Sequence, residues 1–232
     1  MEDIENILSQ ITFEHSLICD YVWKSPNFIE HETELEKRKL NAYFPDDERL
    51  ANLRWSLESL KLEHVYPKAI SMGNMFYVSS WFETYMLRLA MRLDTIVETS
   101  FSEQRGQGMS KILNFLKSCD IHYFSSKYWM PVDSMLKIRN CLVHASGNLS
   151  FSRNQEELRK IVEGNLYLNP LQREALKRPL GSKENNDVHI DETELGTVLK
   201  INNMCAYIAL SHYKDLFEDI CKMIFNLAEK NA

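Results

Sequence analysis

Arg139, Asn140 and His144 are the residues whose types and spacing best suit chemistry in this chain, within Ile138-Arg139-Asn140-Cys141-Leu142-Val143-His144-Ala145-Ser146-Gly147. A guanidinium keeps its proton and offers a planar fork to phosphate or carboxylate, so it can stabilise charge growing on oxygen. An imidazole gives or takes a proton near neutral pH. An asparagine amide orients its neighbours through hydrogen bonds. Val132, Met135, Leu136, Leu142 and Val143 gather on one stripe of a 3.6-residue period, and Arg139 falls near its middle. A charge there must be paired, or must face a partner or ligand, because hydrocarbon does not solvate it. Asn140 and His144, four residues apart, lie one above the other on a neighbouring strip.

The helix that must hold these residues is predicted from about Pro131 to about His144. Proline suits a first helical turn and Gly147 suits the position just beyond the end. Upstream, Ile4, Ile7, Leu8, Ile11, Ile18 and Val22 predict a helix over about Asp3 to Trp23. A charged connector is expected from Lys24 to about Phe44. Pro45-Asp46-Asp47 then reads as the start of a helix carrying Leu50, Leu53, Leu57 and Leu60, interrupted by Pro67. The longest pattern, about Lys68 to Glu98, places Met75, Val78, Phe82, Met86, Leu89, Leu93 and Ile96 on one side and is the expected spine. Thr99 to Gly108 reads as a loop. Its Arg105-Gly106-Gln107-Gly108 lacks the Lys-Ser or Lys-Thr of a phosphate-binding P-loop.

A short helix over about Ser110 to Ser118 and an aromatic linker with Tyr123, Phe124, Tyr128 and Trp129 precede the motif helix. Ser152 and Gln155 have capping-box spacing for a further helix to about Glu163. Between Gly164 and Gly196 the helical rhythm breaks. Leu166-Tyr167-Leu168 and Val188-His189-Ile190-Asp191 are expected to pair as short strands around an exposed excursion, Pro170 to Asn186. A last long helix is expected from about Glu194 to Lys230.

Composition fits one domain. A chain of 232 residues, 44% hydrophobic, can bury a substantial core. No run of about 18 apolar residues is present, so no membrane-spanning helix is expected. The acidic start Met1-Glu2-Asp3-Ile4-Glu5 lacks a secretory pattern. Five cysteines, Cys19, Cys119, Cys141, Cys205 and Cys221, are scattered and odd in number, the pattern of reduced thiols in a cytoplasmic protein. A net charge of −6 argues against a general nucleic-acid coat, yet leaves room for a local basic cleft. Lys137, Arg153, Arg159 and Lys160 lie near the motif, and Arg173, Lys177, Arg178 and Lys183 form a second basic stretch. For most of these a solvated helix face is the simpler reading.

Arg139-Asn140, three residues and His144 resemble the arginine-to-histidine signature of the HEPN superfamily, small helical domains of which many are metal-independent ribonucleases. The resemblance covers six residues, and the asparagine after the arginine and the position at the end of an amphipathic helix strengthen it. It implies an all-α, HEPN-like antiparallel helical bundle over 67–232, with the insertion at 164–196 and an N-terminal helical extension over 1–66. It also implies an endoribonuclease without metal or cofactor. In such an enzyme the RNA 2′-hydroxyl attacks the adjacent phosphorus, His144 handles a proton, Arg139 binds the phosphate and Asn140 orients the site. Glu83, in Trp81-Phe82-Glu83-Thr84-Tyr85, resembles the acidic residue that several members place opposite the motif, to anchor Arg139 or position His144. Implied partners are RNA, tRNA included, or a nucleotide; a second copy forming a composite cleft; and a neutralising antitoxin, since family nucleases often serve in toxin–antitoxin pairs or antiviral defence.

Two other functional classes use the same residues. One is a catalytically silent HEPN module that binds nucleotide, RNA or a protein; the other is a dimeric helical scaffold in which arginine and histidine serve as salt bridge and helix cap. His15 with Cys19, and Cys119 with His122, have metal-compatible spacing but no second pair, so packing is expected for them. His64 and His212 are read onto apolar helix faces. No nucleophile elbow, dinucleotide loop or zinc-protease pair is present.

Overall fold

The computed structural model describes residues 1–175, 187–194 and 196–230. Helix α1 (Glu2–Lys24) carries Glu2, Asp3 and Glu5 in its first turn and Lys24 in its last, complementing the helix dipole, and buries Ile4, Ile7, Ile11, Ile18 and Val22. The segment expected as a connector is instead helix α2 (Asn27–Tyr43), which forms a hairpin with α3 (Glu48–Leu60). Its apolar stripe is thin, with Leu40 alone buried, so periodicity is a weak signal there. Ion pairs of Arg38 with Glu34 and Lys39 with Glu36, and Lys37 over the Trp55 ring at 4.8 Å, support it instead. Asp47 caps α3, its carboxylate accepting from the Leu50 amide at 2.9 Å.

Pro67 does not interrupt the chain's helical course. A π-helical turn (Lys61–Val65) joins α3 directly to α4 (Tyr66–Asp94), with proline at the start of α4. The wider turn relieves the clash between the proline ring and the carbonyl four residues back. At its far end α4 stops short of the expected Glu98, where Thr95, Ile96 and Val97 form a β-branched run that propagates a helix poorly. Asp94 accepts from the Phe101 amide at 2.6 Å and turns the chain. Helix α5 (Gly108–Ser118) and the motif helix α6 (Trp129–Ala145) follow.

Contacts fix the helix directions. Asn74 meets Asn203, Ser79 and Phe82 meet Tyr213, and Tyr85 meets Phe217, so α4 and α9 (Asn203–Lys230) run in the same direction. Helix α1 runs against both, from Asp3 at Arg92 through Glu14 at Trp81 to Trp23 at Tyr207. Helix α6 runs against α9, with Ser126 ahead of it bonding Asp219 and Met135 touching Cys205. Antiparallel pairs therefore dominate a mostly helical fold, with α4 and α9 the exception. The core holds Phe82 stacked on Tyr213 at 4.4 Å, surrounded by Met75, Met86, Leu89, Phe115 and Phe217. A buried polar knot ties three helices: Asn74 donates to Ser25 at 2.7 Å and to Asn203 at 2.6 Å, and Asn203 donates to the Val22 carbonyl.

After α6 come a 3₁₀ turn (Leu149–Phe151), α7 (Gln155–Glu163) and α8 (Pro170–Ala175). The expected capping box does not form: Asn154 is the N-cap, and the Ser152 hydroxyl accepts from the Asn154 amide. Leu166–Leu168 is not a strand. Asn165 at φ 48° turns the chain, burying Tyr167 and Leu168 in a compact turn. The two-stranded sheet is a local hairpin, β1 (Val188–Thr193) antiparallel to β2 (Gly196–Ile201), from Val188 opposite Ile201 to Thr193 opposite Gly196. Closing this short loop costs less entropy than pairing across the excursion. The last helix therefore begins at Asn203, not Glu194, with Asn202 accepting from the Met204 amide at 2.9 Å. Lys177, Arg178 and Lys183 lie outside the described residues. Among the described residues no helix is long and apolar enough to cross a membrane.

Candidate active site

The end of α6 is built by its sequence. Ser146 adopts the left-handed conformation at φ 50°, and the Gly147 amide bonds back to the Cys141 carbonyl at 3.1 Å, closing a Schellman-type cap. Gly147 itself has φ +82°, and a Cβ there would lie 2.6 Å from the Leu199 carbonyl oxygen. That closeness lets Leu199 donate to the Gly147 carbonyl at 2.7 Å, so the hairpin is pinned to the motif helix one turn from His144.

Lys137, Asn140, Cys141 and His144 form one wall of a cleft of about 580 Å³. Their spacing puts them on one strip of α6. Phe151, Ser152, Arg153 and Asn154 form the opposite wall, on the chain between the 3₁₀ turn and α7. The volume is within the range of small-ligand sites. Asn140 and His144 are exposed, as the shared strip predicts. Phe151 is 78% exposed, a large aromatic face at the rim. Arg153 is exposed and makes no ion pair among the described residues.

Lys137 is not a free cation. It pairs with Asp133 on its own helix and Glu157 on α7, the latter at 2.6 Å. Burial works against its charge, and these two carboxylates overcome that and raise its proton affinity. Cys141 is buried, and that burial pushes its thiol up and disfavours the thiolate, against the opposing influence of the Ser152 hydroxyl. Among the described residues, the free cation facing the cleft from its second wall is thus Arg153. Arg159 donates to Thr197 on the hairpin at 3.3 Å.

Arg139 is beside the cleft, not among its lining residues. Five helical steps take the chain from it to His144, a net rotation of about 140° at 3.6 residues per turn. Its Nη1 donates to Asn140 Oδ1 at 2.9 Å, so it touches the cleft through Asn140. Its Nε is buried without a hydrogen-bond partner. Burial lifts the Tyr213 phenol above the ordinary range, against its hydrogen bond with Ser79, and the charges of Arg139 and Glu83 act on it in opposite senses.

Glu83 shares that neighbourhood without the expected contact. Neither carboxylate oxygen lies within 4.0 Å of an Arg139 nitrogen. Its Oε1 instead occupies the space over Gly108, 2.5 Å from where a Cβ would stand, at the first residue of α5. A carboxylate there meets the positive end of the helix dipole. Glu83 thus bears on α5 directly, and its charge acts on Tyr213.

The remaining candidates are structural. Cys19 Sγ lies 3.5 Å from His15 Nε2, but burial lowers the imidazole and raises the thiol, so both are held neutral. His212 is fully buried, and His64 is exposed on the π-helical turn instead of on an apolar face. No group of three or more His, Cys, Asp or Glu among the described residues is arranged to hold a metal ion. Comparison of the chain with family models, curated proteins and solved structures finds no match. The functional reading therefore rests on the cleft.

The wall formed by Phe151, Ser152 and Asn154 is the part that sequence reasoning missed. Its one signal is Phe151 two residues from Arg153, an aromatic near a cation in a stretch with no helical period.

Proposed function

We propose that the cleft between α6 and the 151–154 segment binds RNA and cleaves it without a metal, in the manner of a HEPN-type endoribonuclease. The observation that carries the proposal is the pairing of an exposed His144 and Asn140 on one wall with a free Arg153 and an exposed Phe151 on the other. Arg153 suits an RNA phosphate, Phe151 offers a face on which a base can stack, and the histidine is the group that moves a proton.

In the proposed reaction the 2′-hydroxyl gives its proton to His144 as its oxygen bonds to phosphorus. The bond to the 5′-oxygen breaks, the departing oxygen takes up a proton from water, and His144 returns its own proton to solvent. The products are a 2′,3′-cyclic phosphate and a 5′-hydroxyl. Asn140 donates its amide hydrogens into the cleft while Arg139 holds its carbonyl side, which makes Arg139 a positioning residue here and Arg153 the group stabilising the phosphate charge. The resemblance implies a homodimer with a composite cleft and a neutralising partner protein. The cleft described is built within one chain, so the reaction as proposed does not need the second copy.

One observation favours a second reading, a module that binds RNA or nucleotide without cutting: the motif arginine stands outside the cleft. The two readings separate when total RNA and tRNA are incubated with purified protein in excess chelator beside His144→Ala. Cleavage by the wild type alone supports the nuclease. Binding weakened by Arg153→Glu, with no cleavage, supports the module.

A further inference from the structure

A second cleft of about 580 Å³ lies against another face of α6, between the π-helical turn, the start of α4 and strand β2. Leu142 and Ser146 belong to it, whereas Cys141, His144 and Ala145 belong to the first, and the two clefts share no lining residue. Its volume suits a small ligand.

The lining divides into two kinds of surface. Pro67, Met72, Leu142, Val198, Leu199 and Ile201 make an aliphatic side. Among the described residues no Phe, Tyr or Trp lines it, so it offers no counterpart to Phe151 on which a base could stack. The ionisable groups are basic by four to one, His64, Lys68, His189 and Lys200 against Glu63. Lys68 is exposed, one helical turn beyond His64, and makes no ion pair among the described residues. Lys200 is already engaged with Asp191 at 2.8 Å, on the hairpin face it shares with His189. These two carboxylates, Glu63 on the lining and Asp191 beside it, disfavour a multiply charged phosphate. What remains complementary to the cleft is a single negative charge on an aliphatic body.

We propose that the second cleft binds a small aliphatic monocarboxylate, its chain against Met72, Val198 and Ile201 and its carboxylate on Lys68. A charge-assisted hydrogen bond from Lys68 fixes the head, and removal of the chain from water supplies the rest of the affinity. The ligand bridges α4, α6 and the hairpin without touching the lining of the first cleft. The proposal does not rest on the nuclease reading.

Isothermal titration calorimetry of the full chain with octanoate tests it, beside butanoate, hexanoate and uncharged octanol. Octanoate binds at one site per chain, and each methylene added from butanoate to octanoate tightens binding about threefold. Octanol, which lacks the charge, binds about tenfold more weakly or worse, and Lys68→Glu weakens octanoate by at least as much with unchanged circular dichroism. Arg153→Glu, in the first cleft, leaves octanoate binding as it was. Absence of octanoate binding, octanol binding as tight as octanoate, or indifference to Lys68→Glu overturns the proposal. Loss of binding in Arg153→Glu overturns it too, by placing the ligand in the first cleft.

Discussion

His212 gives the fold a pH dependence of defined sign. Its ring is fully buried in α9, 6.3 Å from the Tyr128 ring, and burial drives its pKa down to about 4, with the Tyr167 backbone acting in the opposite sense. In the unfolded chain the same imidazole titrates near 6.5. Below that value the unfolded state takes up a proton that the folded state refuses until about pH 4. The stabilisation is therefore complete above pH 6.5 and lost progressively as pH falls toward 4. At ~1.36 kcal/mol per pH unit, that gap amounts to ~3 kcal/mol, a large part of the ~5–15 kcal/mol that holds a typical domain together. Urea unfolding of wild type and His212→Leu, at pH values above and below this window, isolates the effect because every other group titrates in both proteins. The wild-type-minus-variant stability should fall by ~3 kcal/mol from high to low pH. A difference that stays constant with pH would refute the reasoning, since it would mean that the imidazole is not held neutral by burial.

Gly147→Ala is expected to cost about 2 kcal/mol or more, because φ +82° is strained for alanine and its Cβ meets the Leu199 carbonyl. Chemical denaturation measures the loss, and hydrogen exchange at the Leu199 amide reports whether the hairpin leaves α6. Phe82→Ala removes the ring stacked on Tyr213 and should cost about 3–5 kcal/mol, read as a lower unfolding midpoint. His144→Ala, at an exposed position, should leave stability within about 0.5 kcal/mol while lowering RNA cleavage at least about 100-fold. Arg153→Glu should weaken binding of an RNA oligonucleotide and flatten its salt dependence, followed by fluorescence anisotropy across ionic strength.

The sequence carried the long helices well where one face is fully buried. Ile4 to Val22 on α1 and Met75 to Leu93 on α4 repeat at helical spacing because both helices are pressed into the core along their length. Helix α2 was illegible for the opposite reason: its stability comes from surface ion pairs and its contact with α3, which leave no strong period. Strand β2 was absorbed into the helix pattern that follows it, because six residues at a domain edge offer little to distinguish alternation from helical spacing. Asn140 and His144 were legible as neighbours on one strip. The rotation of about 140° that separates Arg139 from His144 was also implicit in their spacing. What no local pattern contained was the second wall, since residues 151–154 approach α6 through a turn set by tertiary packing.

The central claim is that this cleft cleaves RNA through the 2′-hydroxyl with His144 moving the proton. A defined RNA carrying a single 2′-deoxy nucleotide at its cleavage position, incubated with wild type in excess chelator beside the unmodified RNA, tests it most directly. The account predicts that the unmodified strand is cut to a 2′,3′-cyclic phosphate and a 5′-hydroxyl and that the deoxy strand survives at that position. Cleavage of both strands, or products ending in a 5′-phosphate, would contradict it.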